Sequence, residues 1–411
     1  MQFRDIIGHD DLKRRLRLTV LENRVAHAQL FYGVEGVGKM RLAIAYAQYV
    51  CCEHRTPDDS CGTCPNCLQF QRLEHPDLHF VFPIVNKGQS GKSSVCDDFM
   101  AEFREAQLQR KYIGLSEWGA MISREQKHLT ILSAEAAQIN HKMSLKSYQA
   151  DYKTLIIWAP ERMQTEMANK LLKLIEEPPE KTLIILVSDD PKSILGTILS
   201  RTQPVHVDTL TEEQVAQCLV QNGVNMTEDE LRRVAHLSRG SVLTALRIIE
   251  ADEQRKQRSI IEQQNMMTDN AKDKQALPPL TDLDYFVQLM RQAWLVGNKK
   301  NYDALRQLKT WSEDIAKNMS RDQQINLLTY FENLIRENYV YNVRQPQINY
   351  MDKPEEDFAK NFARFIHAGN IEQINNELDL AIRHIAQNVN SSMVLFDLAL
   401  HFILFLKAKE S

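Results

Sequence analysis

A glycine-rich stretch near the N-terminus constrains the fold of this chain most strongly. Residues 31–40 read FYGVEGVGKM and lie between a short apolar run and a segment of helical periodicity. Gly33, Gly38 and Lys39 match the phosphate-binding pattern G-x-x-x-x-G-K-[ST], and Gly36 adds a further glycine inside the loop. This loop requires a strand before it and a helix after it, so the stretch predicts an α/β domain with a parallel sheet.

The predicted loop lacks groups that nucleotide hydrolysis needs. Met40 has no hydroxyl for a magnesium ion at the position where the pattern has Ser or Thr. A second buried strand is predicted over 154–159, and it ends in Trp158 and Ala159 where phosphate-loop enzymes carry acidic residues. We therefore expect no hydrolysis by this chain alone, and ATP binding that is weak or absent. Residues 89–93 imitate a second loop less well.

Four of the seven cysteines form a cluster with metal-ligand spacing. Cys52, Cys61, Cys64 and Cys67 give the pattern C-x8-C-x2-C-x2-C directly after the predicted helix. Four thiolates suit tetrahedral zinc, and a site closed by four sulfurs leaves no position for a reactive water. The pattern therefore favours a structural zinc site over the alternative of a redox pair or free thiols.

Composition excludes some classes of protein. A net charge of -4 and a pI near 6.3 argue against a protein that binds DNA over its whole surface. The N-terminus lacks the apolar core of a signal peptide, and this absence, with the cysteine pattern, leads us to expect a cytoplasmic protein. The apolar run 393–406 is shorter than the ~20 residues that span a bilayer, so we interpret it as a buried helix and expect no membrane partner.

Several further motifs occur together with the loop and the cysteines over most of residues 1–250. In this combination of motifs the chain resembles the bacterial clamp-loader family, the AAA+ subunits of DNA polymerase III. The residues that carry the resemblance are Ile7-Gly8-His9, His27-Ala28, the loop 33–39, the four cysteines, Leu171-Leu172-Lys173, Glu176-Glu177-Pro178-Pro179 and Ser200-Arg201.

The resemblance implies a fold class and a domain order. The fold would be α/β AAA+, a RecA-like parallel sheet with a zinc-binding insertion, followed by a small helical lid and an all-α C-terminal collar domain. The expected bounds are 1–208 for the AAA+ domain, with a zinc module at 51–67 and a polar, irregular insertion at 84–149, then 209–254 for the lid and 255–411 for the linker and collar.

The family's members divide by ATPase activity. Its gamma/tau subunits hydrolyse ATP, whereas its delta prime class keeps the fold without a working ATPase. Met40, Trp158 and Ala159 place this chain with the second class, and Leu243 stands where active members present an arginine.

The resemblance also implies a catalytic role in trans. The family's Ser-Arg-Cys motif supplies an arginine finger to ATP on the adjacent subunit, and it maps here to Ser200 and Arg201, with Thr202 in place of cysteine. A guanidinium is always charged and matches phosphate oxygens through its fork. The implied partners are gamma/tau and delta subunits, with the sliding clamp and primed DNA reached through the assembly.

Two other hypotheses remain at this point. One is a divergent gamma/tau-type ATPase, which would need other residues to replace Met40 and Trp158. The second is a zinc-containing DNA-binding repair factor, which the cysteine cluster suggests and the acidic balance opposes.

Overall fold

The chain divides into two compact units, residues 1–246 and 247–411. The structure is a computed structural model, and it describes residues 1–86, 93–123, 129–266, 276–344 and 348–407. The glycine stretch expected to imitate a second phosphate loop lies outside the described residues except at its last position.

A five-stranded parallel sheet forms the centre of the first unit, in the order β2-β3-β4-β1-β5. The strands are β1 (Ala28–Tyr32), β2 (Leu78–Val81), β3 (Lys153–Trp158), β4 (Thr182–Ser188) and β5 (Gln203–His206). Every residue of β3 and β4 is buried, as the continuous apolar runs of covered parallel strands predict. The parallel sheet expected from the glycine loop is therefore confirmed.

The register of the sheet brings two loops together. β1 lies between β4 and β5, with Tyr32 opposite Ser188 at the carboxyl ends of β1 and β4. The residues that follow these strands, beginning with Gly33 and Asp189, therefore meet at one edge of the sheet. Ligands of open parallel sheets bind at this edge.

Ten α-helices lie among the described residues of the first unit, and an eleventh runs across the boundary into the second. They are α1 (Asp10–Leu21), α2 (Lys39–Cys51), α3 (Pro65–Gln71), α4 (Met100–Glu105), α5 (Leu115–Ile122), α6 (Glu135–Ser144), α7 (Thr165–Glu176), α8 (Gly196–Leu199), α9 (Glu212–Gln221), α10 (Glu228–Leu237) and α11 (Val242–Met266). Helices α9 and α10 begin with capping boxes at Thr211 and Thr227.

The segment expected to be a polar, irregular insertion, 84–149, is not irregular where the structure describes it. It contains α4, α5 and α6, and Phe103 and Trp118 are fully buried. Phe103 stacks on Phe82 with ring centroids 4.1 Å apart, and Trp118 meets Phe82 edge-on at 5.4 Å. These aromatic residues are far apart in the sequence, so hydrophobic periodicity does not reveal them as one core. Their burial stabilises helices in a segment whose composition is otherwise polar.

The second unit is helical wherever it is described, as predicted for the C-terminal portion. After the end of α11 its helices are α12 (Asp282–Lys299), α13 (Tyr302–Asn318), α14 (Arg321–Asn342), α15 (Lys353–Phe362), α16 (Ile371–Ala386) and α17 (Ser391–Phe405). One apolar core holds them together, centred on residues such as Phe286, Phe331 and Phe402.

The last helix, α17, is buried on one face only, so the expectation of a wholly buried helix is wrong. Leu395, Leu398 and Phe402 lie in the core, while Met393 and Leu404 are 70% and 61% exposed. No helix in the described part of the chain is long and apolar enough to cross a membrane.

Candidate functional site

The four predicted metal ligands converge at the end of α2. Cys52 follows the last residue of that helix, and Cys64 is the N-cap of α3, which contains Cys67. All four Sγ atoms lie within 4.8 Å of one another, and those of Cys61 and Cys67 are 3.9 Å apart. A tetrahedron with Zn–S bonds of about 2.3 Å has sulfurs about 3.8 Å apart, so the cluster fits one zinc ion.

Backbone donors support thiolates in this cluster. The N–H of Cys61 donates to Cys52 Sγ at 3.2 Å, and the N–H groups of Thr63 and Cys64 donate to Cys61 Sγ at 3.5 and 3.3 Å. Burial opposes ionisation of Cys61, but these donors outweigh it and lower the pKa of its thiol to about 6. Cys52 and Cys67 are fully buried, so the cluster is compatible with a structural ion that has no open position for substrate.

The glycine loop joins β1 to α2 in the predicted context of strand, loop and helix. Gly36 and Gly38 have φ values of +81° and +96°, which glycine adopts without strain. A Cβ on Gly36 would lie 2.4 Å from Ser241 Oγ and 2.5 Å from Leu243 Cβ, so residues at the start of α11 press directly on the loop. The N–H of Val242 also donates to Gly36 O at 3.1 Å.

Lys39 is fully engaged by the chain itself. Its side chain is 3% exposed, and Nζ lies 2.6 Å from Asp189 Oδ1. The same ammonium donates to the carbonyl oxygens of Gly33 and Val34 at 2.8 and 2.5 Å. An ammonium has three donors, and all three are used here. The cation that a phosphate loop offers to a nucleotide is therefore paired with an internal carboxylate.

Arg41 and Tyr112 close a further side of the loop. The Arg41 guanidinium lies over the Tyr112 ring at 5.2 Å and donates to Asp5 O at 2.9 Å. Tyr112 is close enough to Gly38 for an added Cβ to lie 3.6 Å from its ring. Sequence reasoning missed this contact because Tyr112 comes from the segment that was expected to be a polar, irregular insertion. Without Tyr112, nothing in the sequence distinguished Arg41.

The end of β3 carries no acidic pair. Trp158 and Ala159 are buried at the positions expected to lack acidic residues. Glu161 lies in the turn beyond them, where Ser188 Oγ donates to its carboxylate at 2.8 Å. Burial raises the pKa of Glu161 to about 7, and the neighbouring charge of Asp189 adds to the rise. A carboxyl that is half neutral near pH 7 is a poor magnesium ligand.

Arg201 is a surface cation between α8 and β5. Its side chain is 41% exposed, and Nε lies 2.6 Å from Glu176 Oε1 at the end of α7. Nη1 donates to Thr197 O at 3.1 Å and to Ser200 Oγ at 3.2 Å. Thr202, the departure from the family motif, is buried and donates to Ile198 O at 3.2 Å. None of these contacts joins Arg201 or Ser200 to the glycine loop.

The structure thus separates the predicted site residues into three places. The cysteines form one cluster, Gly33, Gly36, Gly38 and Lys39 form a closed loop, and Arg201 with Ser200 lies on the surface. Sequence reasoning did not identify Asp189 as the partner of Lys39. Its position directly after a buried strand was the available signal, but the order of the strands was also needed.

Comparison with known proteins agrees with this organisation. Residues 8–211 match the family described as DNA polymerase III, delta subunit. The chain is 26% identical over 208 residues to DNA polymerase III subunit delta prime of Bacillus subtilis, covering 50% of each chain. It is 26% identical over 228 residues to the delta prime subunit of Escherichia coli, covering 55% of each.

A third relative belongs to another class of subunit. DNA polymerase III subunit tau/gamma of Haemophilus influenzae is 25% identical over 248 residues, which cover 59% of this chain and 30% of that protein. The chain thus spans about half or less of the length of these three relatives.

Among solved structures, a DNA polymerase III gamma subunit-related protein of Thermotoga maritima is similar, with a TM-score of 0.39 and 15% identity over 96% of this chain and 100% of that one. A TM-score of this size carries no argument about the fold. The sequence match agrees with the loop, the sheet and the surface arginine described above. Through residues 8–211, just under half of its length, the chain is related to the DNA polymerase III clamp-loader subunits.

Proposed function

We propose that the chain is a non-hydrolysing, delta prime-like subunit of the DNA polymerase III clamp loader, acting in DNA replication. The observation that carries the proposal is the pairing of Lys39 with Asp189 and two loop carbonyls. A nucleotide phosphate would have to displace an internal carboxylate 2.6 Å from the ammonium. The missing hydroxyl at Met40 adds to this deficit, because the loop lacks that magnesium ligand.

Within that role, Arg201 is the arginine finger that acts on ATP bound by an adjacent gamma/tau subunit, and Ser200 supports its position. Two features support this assignment. The guanidinium lies at the surface, and a single carboxylate, that of Glu176, pairs with it among the described residues. An exposed ion pair is worth at most about 1 kcal/mol, so a phosphoryl group in transfer competes with it readily.

The AAA+ module of the proposal comprises residues 1–208 and the lid residues 209–254. Cys52, Cys61, Cys64 and Cys67 hold a structural zinc ion in this module. The ion ties the end of α2 to α3 and supplies folding energy rather than chemistry. Its four sulfurs would satisfy the whole coordination shell, so the zinc site takes no part in hydrolysis.

The helical residues 255–411 serve as the linker and collar in this proposal. Support comes from α17, where Met393, Leu400 and Leu404 recur at helical spacing and are 70%, 38% and 61% exposed. An apolar stripe on the outer face of a helix favours packing against other helices. The partners are gamma/tau and delta subunits, and the chain acts as a rigid platform while the assembly loads the sliding clamp onto primed DNA.

Reconstitution with gamma/tau and delta subunits from the same bacterium tests this function. We expect this chain to enter a stable complex on size-exclusion chromatography and to be required for loading the clamp onto primed DNA. The variant Leu404→Glu, which places a charge on the exposed stripe, should weaken assembly, whereas Leu21→Glu, a similar change at an exposed leucine of the first unit, should not. Full clamp loading without this chain would contradict the proposal.

The gamma/tau-type ATPase stays a second candidate because the loop retains Gly33, Gly38 and Lys39 and because a tau/gamma subunit is among the relatives. The two candidates differ in one measurable property. A motor hydrolyses ATP by itself, whereas the proposed subunit hydrolyses none and contributes only Arg201 to ATP bound by a neighbouring subunit.

A further inference from the structure

We propose that a pocket in the helical second unit binds an acidic segment of a partner protein through one large apolar side chain of that segment. The site lies between α12, α15 and the ends of the neighbouring elements. It shares no residue with the cysteine cluster, the glycine loop or Arg201, and it does not depend on the clamp-loader assignment.

The wall of the pocket is apolar. Its volume is about 210 Å³. The apolar residues that line it are Met290, Trp294, Phe358, Phe362, Phe365 and Leu406. Phe358 stacks on Phe362 with ring centroids 4.9 Å apart, so part of the wall is fixed by its own packing. Apolar cavities of about 150 Å³ bind benzene, and this pocket therefore has room for one phenyl or large aliphatic side chain.

The rim of the pocket is basic. Arg291 and Arg364 belong to the lining, and both are exposed. The Lys299 ammonium lies 5.9 Å from the Trp294 ring centroid. Lys407 reaches the same end of α12, since a Cβ on Gly297 would lie 3.1 Å from its Cε.

Among the described residues, these four cations have no acidic partner. In the part of the chain that the structure describes, no carboxylate forms an ion pair with Arg291, Arg364, Lys299 or Lys407. The whole chain carries a net charge of -4, so a cluster of four cations contrasts with the net charge of the protein. Positive charge without an internal partner is complementary to an acidic ligand.

Pocket and rim together resemble a protein-binding site more than a nucleic-acid site. Interfaces gain most of their affinity where an apolar anchor fills a desolvated recess surrounded by polar contacts. A nucleobase in this recess would bury ring nitrogens and carbonyl oxygens against a mainly apolar wall, whose neutral polar groups are the Asn361 amide and the Trp294 indole N–H. A phenyl or leucine side chain leaves no such group unpaired, and carboxylates beside it would meet the guanidinium groups of Arg291 and Arg364.

A labelled peptide tests the site with the full chain. The probe is fluorescein-labelled Asp-Glu-Phe-Asp-Glu, and binding is followed by fluorescence anisotropy at low salt. We expect a Kd of about 10–100 μM, since a short flexible peptide loses conformational freedom when it binds. Replacing Phe by Ala in the peptide should weaken binding about tenfold or more, and this comparison leaves the protein unchanged.

Charge reversal at the rim completes the test. The double variant R291E/R364E should weaken binding about tenfold or more and remain folded, because both side chains are exposed. The variant K317E reverses an exposed charge outside the lining and should bind as the wild type does. Equal binding of the Phe and Ala peptides, or undiminished binding by R291E/R364E, would overturn the proposal. Tighter binding of a dT oligonucleotide that R291E/R364E abolishes would assign the surface to nucleic acid instead.

Discussion

Lys39 and Arg201 are both cations of the kind that bind nucleotide phosphates, and the chain treats them in opposite ways. The Lys39 side chain is 3% exposed and is held by a carboxylate and two carbonyl oxygens. The Arg201 side chain is 41% exposed and is paired with one equally accessible carboxylate. A cation with every donor used inside the fold is closed to a ligand, whereas a surface cation in a weak pair can exchange partners. In this structure, therefore, the loop lysine is paired inside the fold, whereas Arg201 is accessible at the surface.

The largest expected effect concerns Arg201, the cation at the surface. In the reconstituted assembly, Arg201→Ala should lower turnover at the ATP site that it serves by about 10³-fold, because an arginine finger stabilises the transferring phosphoryl group. Lys39→Met should leave DNA-stimulated ATP hydrolysis unchanged. Arg232→Ala is the matched control, since Arg232 is also a surface arginine paired with a glutamate. Steady-state phosphate release checks all three, and equal rates for Arg201→Ala and wild type would show that the finger assignment is wrong.

Zinc removal probes the far end of the helix that begins at Lys39. Helix α2 runs from the glycine loop to the cysteine cluster, so a zinc ion bound by the cysteines would stabilise the helix that begins at Lys39. Chelation, or Cys64→Ser, should lower the free energy of unfolding by about 4 kcal/mol or more. Thermal unfolding and metal analysis by mass spectrometry measure both effects. Cys218→Ser changes a buried thiol outside the cluster and should leave one zinc per chain.

The ion pair inside the loop gives a smaller effect. Lys39→Met leaves the Asp189 carboxylate without its cation and should cost about 1–3 kcal/mol of stability, and Asp189→Asn should cost a similar amount. The double variant should cost less than the sum of the two single variants, because each single change leaves one charge unpaired. Urea unfolding of the four proteins measures this coupling. Strict additivity would mean that Lys39 and Asp189 do not interact in solution.

The pH dependence of stability tests the buried carboxyl of Glu161, which accepts a hydrogen bond from Ser188 at the end of β4. The folded chain keeps the Glu161 proton up to a pH of about 7, whereas the unfolded chain loses it near the ordinary pKa of 4.5. Between these values the folded state binds more protons, so this carboxyl makes stability fall as pH rises, by about 1–3 kcal/mol. Urea unfolding at pH 5 and pH 7.5 should show the fall, and Glu161→Gln should remove it. Glu166→Gln, an exposed change on α7, should not.

The smallest effect concerns the carboxylate that holds Arg201. Glu176→Gln removes the charge that competes with phosphate for the guanidinium, so the neighbouring ATP site should show a KM lower by a few-fold, within the ~1 kcal/mol that a surface pair contributes. Glu177→Gln is the matched control, because it changes the next glutamate in the chain. A higher KM for Glu176→Gln would mean that Glu176 supports the productive position of Arg201 instead of restraining it.

Local patterns predicted much of the first unit. β1 (28–32) is the apolar run before the glycine loop, and the strand predicted over 154–159 is β3, which begins at Lys153 and ends at Trp158. The four cysteines converge because two C-x2-C steps and a helix start at Pro65 bring their sulfurs together over a short stretch. These features depend on residues near one another in the chain, which is where spacing and turn chemistry act.

Features made by distant residues could not be predicted in this way. Asp189 reaches Lys39 only because β4 lies next to β1, and Tyr112 reaches Arg41 from a segment whose composition is polar. The Glu176–Arg201 pair likewise joins the end of α7 to the loop after α8. Each contact depends on sheet order or helix packing, which periodicity does not specify. The closure of the loop was therefore visible in the structure and not in the sequence.

The central claim is that the loop is closed to productive use of ATP, and ATP turnover by the purified chain with Mg²⁺ tests it most directly. We predict no hydrolysis above background, and the same result for Lys39→Met. Robust turnover that Lys39→Met abolishes would contradict the claim, because it would show that Lys39 leaves Asp189 to serve a bound nucleotide.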